Sequence, residues 1–62
     1  MPIVNIDVAS RLTKAEKAEL VRGITTTITT VTKAPEQAVI ILINEIGHDN
    51  IAKAGILFSD RS

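Results

Sequence analysis

One stretch constrains this chain more than any other. Ala38-Val39-Ile40-Ile41-Leu42-Ile43 is an unbroken apolar run, mostly β-branched. Such a run suits a central strand covered on both faces. A strand of that kind needs more cover than a short chain can supply. The chain has 62 residues, enough for one domain, and a chain of about 60 residues buries only about 60% of its unfolded surface. Small chains that fold add disulfides, a metal or a partner chain. There is no cysteine, so neither a disulfide nor a thiolate site is open to it. His48 stands alone, and a structural zinc site needs four ligands. Self-association remains. Hydrophobic residues make up 45% of the chain and only Phe58 is aromatic, so much of the apolar surface is expected to face other copies.

Ahead of that run, Ile3 to Val8 alternates with a period of two. Val4, Ile6 and Val8 point one way, Asn5 and Asp7 the other. Pro2 is thereby held at a strand end. Ala9-Ser10-Arg11-Leu12 is a loop, and Thr13-Lys14-Ala15-Glu16 reads as a capping box. Leu20, Val21, Ile24, Ile28 and Val31 follow at threes and fours, one face of a helix. Lys14, Lys17, Glu19 and Arg22 fall mostly on the wet side. Thr25 to Thr32 is threonine-rich, and threonine prefers strands. The apolar spacing favours helix there, with a strand as the competing reading, and Gly23 weakens the helix further. Pro35 marks the helix as already ended. Strand, helix, strand predicts a β-α-β unit with parallel strands and a right-handed crossover. Gly47-His48-Asp49-Asn50 is a turn cluster. Ile51 to Phe58, with Gly55 inside, is expected to form a short hairpin or arm packed on a neighbour. The fold class is α+β, a single domain over residues 1–62.

Charge excludes some functions. Lys plus Arg number 7 and Asp plus Glu number 7. A neutral chain lacks the basic stripe of a nucleic-acid module. No stretch is long enough to span a membrane. The opening Met1-Pro2-Ile3-Val4 has no signal-peptide character, so a cytoplasmic location is expected.

Several segments together resemble the 4-oxalocrotonate tautomerase family, short-chain members of the tautomerase superfamily. They are the opening Met1-Pro2-Ile3-Val4-Asn5-Ile6, Lys17 and Leu20-Val21 in the helix, Ala34-Pro35, the strand end Asn44-Glu45, and the tail residues Ala54-Gly55 and Ser59-Asp60. The resemblance covers nearly the whole chain. It implies a tautomerase/MIF-like fold and a homohexamer, a trimer of dimers. It also implies enol–keto proton transfer (1,3 or 1,5) on a small unsaturated 2-hydroxy or 2-oxo acid, with no cofactor and no metal. The implied base is the secondary amine of Pro2, exposed once Met1 is removed. With Met1 attached, that nitrogen is an amide and cannot act.

A proline amine is ordinarily protonated at neutral pH. An apolar pocket disfavours the cation and lowers its pKa, and a nearby cation acts in the same direction. A base for carbon-acid chemistry must be neutral yet still basic near the working pH. Ile3, Ile40 and Ile51 are candidate apolar walls, and Arg11 is the candidate charge that would hold a substrate carboxylate. Well-studied members of the family bind a dicarboxylate with two arginines and an aromatic residue. In this chain a gapless match puts the first arginine at Leu12, and a one-residue loop shift recovers it as Arg11. The second falls at Ile40 and the aromatic at Ile51, with Lys53 in the loop beyond. A monocarboxylate or a less polar enol therefore suits the site better than a hydroxymuconate.

Other residues have plainer readings. Pro2 by itself could be no more than a rigid strand opener, and Arg11 no more than a surface charge. His48 and Asp49 are adjacent in a turn and are read as turn residues. Lys53 is a solvated loop lysine, Arg61 a terminal or rim charge, and Glu45 a hydrogen-bonding group at a strand end. A catalytically silent oligomeric binding or structural protein on the same scaffold is the alternative function.

Overall fold

A computed structural model describes residues 1–61 of the chain. Strand β1 is Ile3–Val8, helix α1 is Lys14–Thr32, strand β2 is Ile40–Glu45, and two short strands, β3 (Ala52–Lys53) and β4 (Ile56–Leu57), close the chain. β1 and β2 are parallel neighbours in register from Ile3 opposite Ile40 to Val8 opposite Glu45. Two bonds extend the ladder at its ends. Ile40 N donates to the Pro2 carbonyl at 3.0 Å, and Ile46 N donates to the Val8 carbonyl at 2.8 Å. The β-α-β unit and its parallel pair are as the apolar pattern predicts.

The helix begins where the capping box places it. Thr13 Oγ1 accepts from Glu16 N at 3.1 Å, and Thr13 N donates to Glu16 Oε1 at 2.8 Å. The threonine-rich half is helical, as the apolar spacing favours, and several of its hydroxyls turn back onto the helix itself. Thr26 donates to the Arg22 carbonyl, Thr27 to Gly23, Thr30 to Thr26 and Thr32 to Ile28, at 2.7–3.2 Å. Each of these hydroxyls finds an acceptor within the helix, though the β-branch of threonine still restricts its side chain there. The helix stops at Lys33, whose φ of 65° is left-handed and whose N–H reaches the Thr29 carbonyl.

Three local expectations differ. The second strand starts at Ile40 rather than Ala38, because Glu36–Ala38 forms a 3-10 turn after Pro35. Val31 lies 73% exposed instead of on the apolar face, being in the last turn of the helix. β2 is half-buried on one face only, through Ile41 and Ile43, while Ile40 and Leu42 are exposed.

That last point describes the whole chain. Among the described residues none is fully buried, whether apolar or polar. The radius of gyration is 15.0 Å, against about 11 Å for a compact chain of this length. The molecule is a slab of 43 × 24 × 13 Å, a two-stranded sheet with one helix. Ile3, Ile40 and Leu42 form an open apolar face on the sheet, and Ile56 and Leu57 form another on the hairpin.

The hairpin pairs Ala52 with Leu57 and Lys53 with Ile56, antiparallel. Its two turn residues, Ala54 and Gly55, have φ of 54° and 79°. Positive φ at both positions is the type I′ signature that suits a two-residue hairpin.

Candidate functional site

The two ends of the parallel pair carry different chemistry. At the N-terminal end, Pro2 is half-buried and leads directly into β1. Its carbonyl is tied to Ile40 N, so its position is fixed by the sheet. Ile3 and Ile40 sit opposite each other beside it, 57% and 41% exposed. This end is apolar and open.

At the C-terminal end, the loop from Ala9 to Leu12 faces the segment from Glu45 to His48 across a shallow depression. Arg11 lines it and is exposed. Glu45 organises this end. Its Oε2 accepts from Leu12 N at 2.8 Å, and its Oε1 pairs with Lys17 Nζ. The Lys17 hydrogen bond, followed by the Leu12 N–H, holds the Glu45 carboxyl below its ordinary pKa of 4.5. On the outer face of the strands, Asn44 Nδ2 donates to Asp7 Oδ1 at 3.0 Å.

His48 Nε2 donates to the Ala9 carbonyl at 2.8 Å. Its ring meets Phe58 edge-on, centroids 6.0 Å apart. Arg61 stacks its guanidinium 5.4 Å from the centre of the Phe58 ring and donates to the Lys53 carbonyl at 2.9 Å. His48 therefore ties the first loop to the C-terminal arm, a turn residue with a tertiary partner. Arg61 holds the hairpin. Ile51 is half-buried in that arm, where its carbonyl accepts from Phe58 N at 2.7 Å.

Of the four candidate site residues, one chain brings Pro2 and Ile40 together. Arg11 lies at the far end of β1, about 20 Å away for six residues at the strand rise of about 3.3 Å. Ile51 belongs to the arm that leaves from that far end. A small ligand held against Pro2 of one copy cannot also meet Arg11 of the same copy. Lys17 is the residue that sequence patterning undervalued. It falls on the wet side of the helix by period, yet it is half-buried against Glu45. The only signal was a carboxylate closing an apolar strand with no local cation to balance it.

A β-α-β subunit with a proline leading its first strand and a cationic loop at the strand's other end defines a small class of proteins. The family model described as tautomerase enzyme matches residues 2–61. The chain belongs to the tautomerase family. Among solved structures it is similar to a 4-oxalocrotonate tautomerase homologue at 27% identity and TM-score 0.90, covering 100% of this chain and 98% of that one. It is similar also to YwhB, a homologue of 4-oxalocrotonate tautomerase, at 30% identity and TM-score 0.90, covering 98% and 100%. A heterohexamer 4-oxalocrotonate tautomerase from Chloroflexus aurantiacus shares the fold at 22% identity and TM-score 0.84, covering 97% of each chain. Compared by sequence with curated proteins, the chain finds no match.

Proposed function

We propose that this chain is a tautomerase-type isomerase that moves a proton between enol and keto forms of a small unsaturated 2-hydroxy or 2-oxo acid. Pro2 is the general base once Met1 has been removed. The observation that carries this reading is the place of Pro2. The family match begins at that residue, and the bond from Ile40 N to its carbonyl fixes it at an apolar strand end.

The steps balance without a redox partner. The neutral Pro2 amine takes the enol hydroxyl proton, or a proton from an activated carbon, and becomes a secondary ammonium. The electron pair moves through the conjugated system, and the ammonium returns the proton to a different carbon. Apolar walls from Ile3 and Ile40, with Ile51 contributed by another copy, favour the neutral amine. Arg11 binds the substrate carboxylate and draws electron density towards it, lowering the cost of the dienolate. Because Pro2 and Arg11 stand at opposite ends of one strand, a complete site needs Arg11 from a second copy. The working form is accordingly an oligomer of this chain, a homohexamer as the family resemblance implies. Ile40 stands where the family has a second arginine, so the substrate has one carboxylate rather than two.

The test is turnover of an aryl enolpyruvate by protein shown by intact mass to start at Pro2, beside Pro2→Ala. Loss of the base should lower kcat/KM by at least about 100-fold. Equal inactivity of both proteins on several enols would leave the silent binding scaffold, which the apolar residue at position 40 favours.

A further inference from the structure

We infer that Glu45 is a positioning residue for Arg11: it holds the loop that carries the guanidinium, and Lys17 keeps Glu45 from capturing that guanidinium for itself. The inference rests on Arg11 being the carboxylate-binding cation of the proposed function.

Three elements meet at this carboxylate. Glu45 is the last residue of β2 and lies in register with Val8, and the next residue, Ile46, is tied back to the Val8 carbonyl at 2.8 Å. Its backbone is therefore part of the sheet. From there Oε2 takes Leu12 N at 2.8 Å, and Leu12 N belongs to the peptide joining Arg11 to Leu12. A carboxylate accepting a backbone N–H makes a charge-assisted bond, stronger than a neutral one. It pins the loop two bonds beyond the Arg11 Cα. The other oxygen faces Lys17 on the second turn of α1, and the start of that helix is fixed by the Thr13–Glu16 box.

The distribution of charge is the second half of the argument. Arg11 is near enough to Glu45 to help stabilise its ionised form, but it is the smallest of the causes, after Lys17 and the Leu12 N–H. Both Glu45 oxygens already have partners. Arg11 makes no hydrogen bond or ion pair among the described residues. An arginine next to an unpaired glutamate would fold onto it and form a bidentate pair. With Lys17 balancing Glu45, the guanidinium keeps its charge and its donors for an incoming carboxylate. The same lysine makes the depression less acidic, which favours an anionic ligand.

The experiment measures kcat and KM for an aryl enolpyruvate and for a neutral enol of the same ring without the carboxylate. It uses protein shown by intact mass to start at Pro2, as wild type, Arg11→Ala, Glu45→Ala, Glu45→Gln and Lys17→Met, with the assembly of each checked by light scattering. Glu45→Ala should raise KM for the carboxylated enol by roughly tenfold, since a small misplacement of a binding group is enough. It should leave kcat within about twofold and leave the neutral enol unaffected. Glu45→Gln keeps an acceptor for Leu12 N and should raise KM less. Lys17→Met should raise KM too, because the unbalanced Glu45 then competes for Arg11. If Arg11→Ala raises KM while Glu45→Ala and Glu45→Gln do not, the positioning role is overturned and the proposed function stands. If Glu45→Ala lowers kcat/KM equally for both enols, its role is structural and the inference is also overturned. Should Glu45→Ala fail to assemble, Glu45→Gln decides by the same criteria. If Arg11→Ala leaves KM unchanged, or no enol is turned over, the reading of Arg11 fails and the inference falls with it.

Discussion

At the scale of single residues, the polar side chains that matter most in this chain are those that connect elements. Glu45 joins β2, the first loop and α1 through two oxygens. His48 joins that loop to the C-terminal arm. The Glu45 pair has a pH signature. Its folded pKa is lowered from 4.5, so as pH falls the unfolded chain takes up the proton first. The stabilisation is complete above the unfolded pKa and is lost as pH falls through the folded one. Chemical-denaturation midpoints followed from neutrality to about pH 3 should therefore drop less steeply for Glu45→Gln than for wild type. Parallel curves for the two proteins would show that other carboxylates carry the acid sensitivity. The candidate base, Pro2, needs no such network, because one backbone bond to its carbonyl fixes it.

Among the elements, the helix and the hairpin solve opposite problems. In α1 four threonine hydroxyls bond to carbonyls one turn back, and the segment with strand-like composition stays helical because its apolar residues keep the helical period. Its period of 3.6 was legible because Val21, Ile24 and Ile28 all fall on the half-buried side. The hairpin carries a local cost. Ala54 sits at φ 54°, a left-handed conformation that costs an L-residue about 1–2 kcal/mol. Asparagine tolerates that conformation and is the preferred first residue of a type I′ turn. Ala54→Asn should raise stability by about 0.5–1 kcal/mol per chain, read as a higher thermal midpoint. No change, or a fall, would mean that the arm is held by its partners rather than by its turn.

For the whole molecule, the dominant fact is a missing interior. A slab 13 Å thick with no fully buried residue among those described gains too little from burial to offset the entropy of ordering its chain. The open face of Ile3, Ile40 and Leu42 is where a second copy would contribute most. Leu42 is 50% exposed in the single chain, and covering that remaining half is worth about 1 kcal/mol per copy. Leu42→Lys should break assembly and unfold the chain together, seen as a fall in mass by light scattering and a loss of helical signal. A Leu42→Lys protein that keeps its mass and its stability would place the interface elsewhere.

The sequence by itself determined the element order, the helix start and the parallel pair, and it raised the expectation of partners. Each of these rests on local spacing or on a simple ratio of surface to length. Pro2 was legible as a candidate base only through the whole-chain family resemblance, since position alone reads as a strand opener. Arg11 was legible as a cation in a loop, but its separation from Pro2 was not, because that depends on the register of Ile3 with Ile40 and Val8 with Glu45. The start of β2 at Ile40, the exposure of Val31 and the partnership of Lys17 with Glu45 were likewise decided only by the tertiary structure. Apolar run and helical period define which residues prefer to be covered. Which of them one chain covers, and which it leaves open for another copy, depends on three-dimensional packing that no periodicity records.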